Sequence, residues 1–295
     1  MNSWQISTPQ YFNFSEVLWF LDRGYDDCLH EVNTSTIRKL LWIEDQPCLI
    51  QISDQRENLW IEVLNKIQPQ YHKQISHYVR DWFDLDRDLG SFYEQIAKVP
   101  ALYKRISMHQ GLRLIGIHDL FEALSWSIIG QQINLTFAYR LKRRLVEQYG
   151  NSFQFEGITY YSFPSPQKIA TCEIHELKAM QFSTRKAEYL IGIAQLLVDG
   201  IITKSQLADL EHTAAMVATL CKIRGVGEWT ANYTLMKCLK RMDSIPYGDA
   251  GLLKAIQLVQ QSESRPSREE IDLFFYPLSG WEAYTTFYLW QSLSK

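Results

Sequence analysis

The spacing of apolar residues changes character near residue 100 of this 295-residue chain. Between Thr36 and Leu64 three runs are rich in β-branched and aromatic residues, and two turn-like segments separate them. In chain order these are TIRKLLWI, DQP, CLIQIS, DQREN and LWIEVL. Such runs predict an antiparallel meander. The flanking segments FSEVLWFLDR and QISHYVRDWFDLDRDLGSFYEQIAKV place apolar residues three and four apart, which predicts helices backing the sheet.

From residue 119 onward the pattern is that of short helices separated by loops. Asp119 and Asn134 are suitable N-caps for HDLFEALSWSIIGQQ and LTFAYRLKRRLVEQY, and Gly150 is suited to end the second helix. FPSPQ begins a further helix, and SQLADLEHTAAMVATLCKI predicts two more. The break between the first two helices contains Gln131 and Gln132. Their side chains either project from a helix end or belong to an ordinary solvated loop.

Composition narrows the class of protein. With 46% hydrophobic residues the chain can bury a full core, and its length favours about two domains. No run approaches the roughly 20 apolar residues that cross a bilayer, and the start MNSWQISTPQ does not resemble a signal peptide. We therefore expect a cytoplasmic protein. The five cysteines have no C-x-x-C spacing, so neither a disulfide framework nor a zinc site is predicted.

Charge is distributed unevenly along the chain. The formal net charge is −3, but residues 1–100 hold 9 Lys and Arg against 15 Asp and Glu, whereas residues 101–295 hold 21 against 18. A polyanion is therefore expected to meet the C-terminal two thirds, although an ordinary solvated surface explains this mild bias nearly as well.

The segment IRGVGEWTANYTLMKCL predicts a helix, a tight hairpin and a second helix. Gly225 and Gly227 permit backbone geometries or close approaches that other residues forbid. Backbone N–H groups at the start of the second helix would then point outward and bind one phosphate. The alternative is that both glycines serve only the packing of a tight turn.

Asp249 lies twenty residues after Trp229, behind Ile-Pro-Tyr-Gly and ahead of the apolar helix LLKAIQLV. Taken alone, this aspartate is an N-cap worth about 1 kcal/mol. A phosphate-binding hairpin followed by a loop and a carboxylate at a helix N-terminus is a more specific combination.

That combination resembles the helix-hairpin-helix (Gly/Pro, Asp) superfamily of DNA glycosylases, and within it the DNA-3-methyladenine glycosylase II (AlkA) type. The resemblance extends in order over nearly the whole chain, through FNFSEVLWFLDR, SIIGQQINLTFAYRLKRRLVEQYG, FPSPQKIA, LKAMQFSTRKAEYL, IRGVGEWTANY, PYGDAGLLK and WEAYTTFYLW. It implies an α+β protein with an N-terminal antiparallel sheet and flanking helices (TBP-like) in residues 1–100. Two mostly helical domains would follow, one in residues 119–241 with the hairpin and one in residues 101–118 plus 242–295.

The resemblance also implies a function. Such enzymes flip alkylated purines, of the 3-methyladenine and 7-methylguanine class, out of duplex DNA and hydrolyse the N-glycosidic bond. Asp249 would stabilise the positive charge that develops on the sugar, or would orient or deprotonate the attacking water. Members that also cut the backbone carry a lysine where this chain has Trp229, so we expect a monofunctional enzyme without lyase activity.

Further roles follow from the same motif matches. The base pocket would contain Trp229, Tyr233, Trp281 and Phe20, because aromatic faces attract electron-poor rings. Gln132 stands where a residue is inserted into the base stack and where the best-known member has leucine. The residues expected to contact DNA are Gly225, Val226, Gly227, Gln131 and Gln132.

No cofactor is expected to be required, and the four C-terminal cysteines of the iron-sulfur branch have no counterpart after Cys238. Family members often hold a monovalent cation, Na⁺ or K⁺, on hairpin carbonyls, here those of Cys221, Ile223 and Val226. The expected partner is double-stranded DNA containing alkylated bases, with no membrane and no obligatory protein partner. Two alternatives stay open: a glycosylase for another base lesion, and a non-catalytic protein that binds damaged DNA.

Overall fold

The computed structural model describes residues 2–55 and 58–293. They group into two compact units, each made of segments distant in sequence. The first combines the segment up to Thr8 with Leu18–Asp81 and His118–Thr203, and the second combines Pro9–Val17, Trp82–Ile117 and the segment from Lys204 onward. These units do not coincide with the three predicted domains, so that division stays a prediction.

The strands and helices of the described residues have the following bounds. The strands are β1 Ser3–Ser7, β2 Glu31–Val32, β3 Thr36–Ile43, β4 Gln46–Gln55, β5 Asn58–Val63, β6 Ser152–Phe155 and β7 Ile158–Tyr161. The helices are α1 Phe14–Leu21, α2 Tyr71–Trp82, α3 Gly90–Ala97, α4 Pro100–Ile106, α5 Leu120–Gly130, α6 Leu135–Tyr149, α7 Pro166–Ala170, α8 Ile174–Ala179, α9 Thr184–Val198, α10 Lys204–Ala208, α11 Thr213–Leu220, α12 Glu228–Thr234, α13 Ala250–Gln260, α14 Arg268–Phe275 and α15 Glu282–Gln291. None of the helices in the described ranges combines the length and the apolar character that spanning a bilayer requires.

The first unit contains an antiparallel five-stranded sheet in the order β1-β5-β4-β3-β2. Strands β3, β4 and β5 are the predicted meander, and Ile37 pairs with Ile52, which in turn pairs with Ile61. Leu59, Ile61 and Val63 are buried while the residues between them are half-buried, the alternation expected when one face of a sheet packs on a core. The predicted α+β class, with an N-terminal antiparallel sheet and a mostly helical remainder, is confirmed.

Two hairpins in this unit use the same turn chemistry. Glu44 and Asp45 both have positive φ, 46° and 61°, and join β3 to β4, while Glu156 (49°) and Gly157 (80°) join β6 to β7. Two residues with positive φ match the twist of the flanking strands. The β6–β7 hairpin was missed because its strands have only four residues each. The expected DQREN turn includes residues 56–57, which lie outside the described residues.

Helices α5 and α6 begin at the predicted caps. The Asp119 side chain accepts a hydrogen bond from the Glu122 backbone N–H at 2.8 Å, and Asn134 accepts one from the Phe137 N–H at 2.9 Å. Gly150 ends α6. The break between the two helices therefore falls at residues 131–134, as the sequence predicts.

The second unit contains the predicted helix, hairpin and helix. Helix α11 ends at Leu220 and α12 begins at Glu228. Helix α12 continues into a π-helical turn, Leu235–Leu239, which Lys240 closes with a left-handed backbone (φ 52°). Helix α13 then follows a short loop, and α15 is buried along most of its length.

A buried ion pair connects helix α6 of the first unit to the loop after α1. The Lys142 ammonium lies 3.0 Å from both carboxylate oxygens of Asp27 and 4.0 Å from Glu122 Oε1. Its side chain is 7% exposed and that of Asp27 15%. The rings of Trp126 and Tyr139 lie within 5.4 and 5.9 Å of the ammonium. Burial raises the pKa of the Asp27 carboxyl, but the charges of Lys142 and His30 and the hydrogen bonds from Lys142 and the Leu29 backbone together outweigh burial and hold that pKa well below its usual value.

We expect Lys142→Met to lower the free energy of unfolding by about 3–5 kcal/mol, because it leaves the buried Asp27 carboxylate without its partner. Urea denaturation measures the loss. Arg143→Met is the matched control, since Arg143 pairs with Asp26, whose side chain is 61% exposed, and should cost less than about 1 kcal/mol. Equal losses in the two variants would contradict this account.

The ion pair between Asp27 and Lys142 also makes the free energy of unfolding depend on pH. Because the pKa of Asp27 is lower in the folded protein, its contribution to stability is complete above the unfolded-state pKa of about 3.9 and is lost as the pH falls through the folded-state pKa. In Lys142→Met, the free energy of unfolding should fall less than in the parent protein as the pH is lowered.

Candidate active site

The hairpin between α11 and α12 is a tight turn that uses one glycine for its backbone conformation. Gly225 has φ +93°, a region that L side chains rarely adopt. The Val226 N–H donates to the Ile223 carbonyl at 3.0 Å, so this amide is used inside the hairpin. Cys221 is exposed and closes α11, whereas Ile223 and Val226 are buried.

The second glycine of the hairpin has a different role. Gly227 caps α12 with φ −95° and ψ 178°, an extended conformation that any residue can adopt. A Cβ placed on it would meet no atom of the protein within 4 Å. Backbone geometry therefore favours glycine at 225, whereas Gly227 leaves open space beside the start of α12, which is compatible with the close approach expected there.

Asp249 caps helix α13. Its Oδ1 accepts a hydrogen bond from the Leu252 N–H at 2.7 Å, the usual geometry of an N-cap. The preceding turn is closed by the Asp249 N–H, which donates to the Pro246 carbonyl at 3.0 Å, and Gly248 has φ +85°. A glycine is therefore favoured at 248, and the turn directs the carboxylate back over the first turn of α13.

Two tryptophan side chains also bind the Asp249 carboxylate. Trp229 Nε1 donates to Oδ2 at 3.2 Å, and Trp290 Nε1 donates to Oδ1 at 2.8 Å. With the Leu252 N–H, three N–H donors converge on one half-exposed carboxylate. Hydrogen bonds to a charged group are stronger than neutral ones, so the donors hold the carboxylate in one orientation.

Aromatic rings surround this carboxylate on one side. Trp229 and Tyr233, one helical turn apart on α12, stack with centroids 5.4 Å apart and an interplanar angle of 26°. Tyr233 also contacts Trp290, with centroids 6.2 Å apart. All three rings are half-buried, so part of their surface can meet a ligand. The structure thus brings together a carboxylate and the faces of three aromatic side chains.

The two tryptophans at the start and near the end of the last helix make different contacts. The Trp281 ring packs on Phe92 and Tyr284, with centroids 5.5 and 5.7 Å away, and makes no ring contact with Trp229 or Tyr233 in the described part of the chain. Its place in the base pocket stays a prediction, whereas Trp290 contacts both Tyr233 and the Asp249 carboxylate. Both tryptophans lie in WEAYTTFYLW, and no spacing rule pairs either with Asp249, 41 residues from Trp290.

Gly251 makes room for the indole of Trp290. A Cβ on Gly251 would lie 3.1 Å from Trp290 Cδ1, 3.3 Å from its Nε1 and 3.2 Å from Asp249 Oδ1. Such distances are tighter than ordinary van der Waals contact, so the absence of a side chain lets the indole reach the carboxylate. No sequence pattern indicated this role.

The remaining predicted site residues belong to the first unit. Phe20 is half-buried, and the Arg23 guanidinium lies 3.9 Å from its ring centroid. Gln131 follows α5, and Gln132 is exposed with φ 57°. A left-handed backbone at a residue other than glycine costs about 1 kcal/mol or more, and such strain occurs often at functional sites. Roles for Phe20, Gln131 and Gln132 stay predictions.

The structure thus combines an α+β fold, a helix-hairpin-helix and, twenty residues after Trp229, a carboxylate bound by two tryptophans. Residues 125–276 match the model of the HhH-GPD superfamily base excision DNA repair protein, and residues 28–124 match that of the 8-oxoguanine DNA glycosylase N-terminal domain. The chain therefore belongs to the HhH-GPD superfamily.

A relative agrees with this membership, and two solved structures share the fold. The chain is 38% identical over 292 residues to a DNA-3-methyladenine glycosylase of Bacillus subtilis, covering 98% of this chain and 96% of the relative. The structure of a 3-methyladenine DNA glycosylase from Archaeoglobus fulgidus superposes with a TM-score of 0.85 at 19% identity, over 98% and 97% of the two chains. An 8-oxoguanine glycosylase/lyase of Clostridium acetobutylicum gives 0.77 at 17% identity, over 98% and 95%.

We expect Gly251→Ala to lower the free energy of unfolding by about 1 kcal/mol, because the lost indole hydrogen bond outweighs the gain in helix propensity. Gly192→Ala is the matched control: Gly192 lies inside α9 with no atom within 4 Å of an added Cβ, so it should gain about 0.5–1 kcal/mol.

Urea denaturation of both variants measures the difference. In a Trp290→Ala background the indole is gone, so Gly251→Ala should no longer destabilise. A stabilising Gly251→Ala in the native background would show that the indole does not need this space.

Proposed function

We propose that this protein is a base excision DNA glycosylase that releases alkylated purines, of the 3-methyladenine and 7-methylguanine class, by hydrolysing the N-glycosidic bond. The observation that carries the proposal is the Asp249 carboxylate, which accepts hydrogen bonds from the indole N–H groups of Trp229 and Trp290. The name of the Bacillus subtilis relative supports the substrate class.

We assign different roles to the two carboxylate oxygens of Asp249. Oδ1 accepts from Leu252 and Trp290, which uses both of its lone pairs, whereas Oδ2 accepts from Trp229 alone within the described residues. Oδ2 therefore faces the reacting sugar. Breaking the N-glycosidic bond gives the sugar oxocarbenium character, and a pre-oriented carboxylate stabilises it. The same oxygen can orient or deprotonate the attacking water.

The aromatic rings supply selectivity for the substrate. Purines alkylated at ring nitrogen carry positive charge and are good leaving groups, so no general acid is needed. Aromatic faces attract cations by roughly 0.5–2 kcal/mol. Trp229, Tyr233 and Trp290 offer such faces beside the carboxylate, which adds its own attraction for a cationic base. A role for Phe20 in recognising the base is proposed on the resemblance alone.

The hairpin serves to anchor double-stranded DNA. Backbone N–H groups near Gly225 and Gly227 would bind one phosphate, and the open space beside Gly227 supports such an approach. A Na⁺ or K⁺ ion on the carbonyls of Cys221, Ile223 and Val226 would add to phosphate binding. The Ile223 carbonyl already accepts from Val226, so one of its lone pairs would be available to the ion.

Monofunctional chemistry is part of the proposal. Trp229 follows the hairpin where lyase members of the superfamily carry a lysine, so no amine is placed there to form a Schiff base with the sugar. The product would be an abasic site in an uncut strand, and Gln132 would fill the gap that the flipped nucleotide leaves. No obligatory protein partner is proposed. An enzyme acting on DNA would work in the cytoplasm, at the nucleoid of a bacterial cell.

A second candidate function is the excision of an oxidised purine. It is favoured by the match of residues 28–124 to the N-terminal domain of 8-oxoguanine DNA glycosylase. A neutral oxidised base would gain less from the aromatic faces than a cationic one does. Side-by-side assays on alkylated and oxidised duplexes separate the two functions.

We expect the native protein to release free methylated purines from alkylated duplex DNA, and Asp249→Asn to reduce the single-turnover rate at least a hundredfold, roughly 2.7 kcal/mol. Asparagine is as good an N-cap as aspartate, so the fold should be kept while the charge is removed. Asp119→Asn makes the same change at the cap of α5 and should leave the rate unchanged.

Borohydride trapping in the same reactions tests the absence of lyase activity, since a covalent protein–DNA adduct would contradict it. Lesion binding without release by any variant would favour the non-catalytic alternative.

We expect Gly227→Val to weaken DNA binding at least tenfold while lowering the free energy of unfolding by less than about 1 kcal/mol, because its Cβ meets no protein atom and only the N-cap preference for glycine is lost. Gly225→Val should lower that free energy by about 1–2 kcal/mol, since φ +93° is strained for valine. Fluorescence anisotropy over a salt series measures binding, which should weaken as salt rises. If Gly227→Val binds DNA as tightly as the parent protein, the proposed role of the hairpin in DNA binding is wrong.

A further inference from the structure

An arginine on α14 contacts both segments that form the candidate site. Arg268, the first residue of α14, binds the Glu228 carboxylate through two hydrogen bonds, from Nη1 to Oε2 at 2.9 Å and from Nη2 to Oε1 at 2.7 Å. Its guanidinium carbon lies 4.0 Å from the centroid of the Tyr247 ring. The Tyr247 hydroxyl in turn donates to Asp272 Oδ1 at 2.5 Å, one turn further along α14.

These contacts fall at the two places that decide where Trp229 and Asp249 meet. Glu228 is the first residue of α12 and immediately precedes Trp229. Tyr247 precedes Asp249 by two residues, in the turn that Gly248 closes. The hydrogen bond from Trp229 Nε1 to Asp249 Oδ2 spans the same two segments. A shift of either segment would therefore lengthen it.

We propose that Arg268 is a positioning residue of the glycosylase: with Glu228, Tyr247 and Asp272 it forms a clamp that holds the start of α12 against the Asp249 turn. This inference rests on the proposed function, and it assigns the clamp no contact with substrate. The paired, planar geometry of a guanidinium and a carboxylate suits this task, because it fixes direction as well as distance.

The exposure of the Arg268–Glu228 ion pair indicates that the pair can position the two segments without contributing much to stability. The side chains of Arg268 and Glu228 are 57% and 43% exposed, and ion pairs at such exposure contribute little to folding. The Arg268 hydrogen bonds lower the pKa of Glu228, so the pair stays charged at neutral pH. The clamp is thus suited to orient the two segments without being needed for the fold.

The test must remove the clamp without changing local charge, since an unpaired Glu228 beside the hairpin would itself repel DNA. The double variant Glu228→Gln with Arg268→Gln meets this condition. Arg265→Gln with Glu269→Gln is the matched control: both side chains are exposed, and neither contacts Tyr247 or Glu228 in the described ranges. Tyr247→Leu removes the ring beneath the guanidinium and tests the other half of the clamp.

We expect the double variant and Tyr247→Leu each to lose roughly tenfold to a hundredfold in the single-turnover rate of methylated purine release, because small misplacements of reacting groups have effects of that size. Affinity for lesion DNA should stay within about twofold of the parent, with an unchanged Tm, and the control should match the parent throughout. A parallel fall in affinity and rate would make Arg268 a DNA-contacting residue and overturn the proposal.

Fluorine NMR of protein labelled with 5-fluorotryptophan gives a readout that does not need catalysis. The resonances of Trp229 and Trp290 are assigned by Trp229→Phe and Trp290→Phe, and removal of the clamp should shift them while the control does not. If the native protein releases no base, the proposed function fails and the resonances alone decide the clamp. If the double variant releases methylated purines at the native rate and its Trp229 and Trp290 resonances do not shift, the proposed clamp is wrong. The proposed function would then be unaffected.

Discussion

A single carboxylate organises the second unit of this protein. Asp249 needs N–H donors because a half-buried charge without partners is costly, and it takes them from its own helix and from two tryptophans on different helices. The requirement fixes α12 and α15 relative to the start of α13. Other local features follow from it: Gly251 leaves space for an indole, and Gly248 shapes the turn before the cap. The proposed chemistry uses the one lone pair of this carboxylate that those donors leave.

Capping and catalysis are often treated as alternative explanations of an aspartate at a helix start. At Asp249 they are two uses of one geometry. The cap and the Trp290 indole bind Oδ1, and the Trp229 indole N–H binds Oδ2, so the carboxylate is held in one orientation beside the aromatic rings. Because the folded protein already orients the carboxylate, no free energy is spent on reorienting it during the reaction. Such preorganisation is the source of electrostatic catalysis. The hairpin shows a similar division, since Gly225 serves the turn and Gly227 leaves space outside it.

Local signals predicted most of the architecture. The meander, the caps at Asp119, Asn134 and Asp249, and the helices around the hairpin depend on periodicity and on side chains reaching their own backbone, both of which act over a few residues. Strands β1 and β2 were not predicted, because a short edge strand pairs with residues far away in sequence and carries little pattern of its own. The contact of Trp290 with Asp249 was missed for a related reason: the sequence pattern does not distinguish Trp281 from Trp290, and only packing decides which of them reaches Asp249.

The sequence by itself determined the α+β class, the position of the hairpin, the carboxylate behind the Pro-Tyr-Gly turn and the resemblance that led to the superfamily. These depend on the order and spacing of residues along the chain. Only the tertiary structure decided that Trp290 joins Trp229 on Asp249, that Gly251 leaves the space for it, and that Arg268 reaches both Glu228 and Tyr247. Those contacts join residues 20 to 41 positions apart, and their distances are set by how helices pack, which no local pattern records.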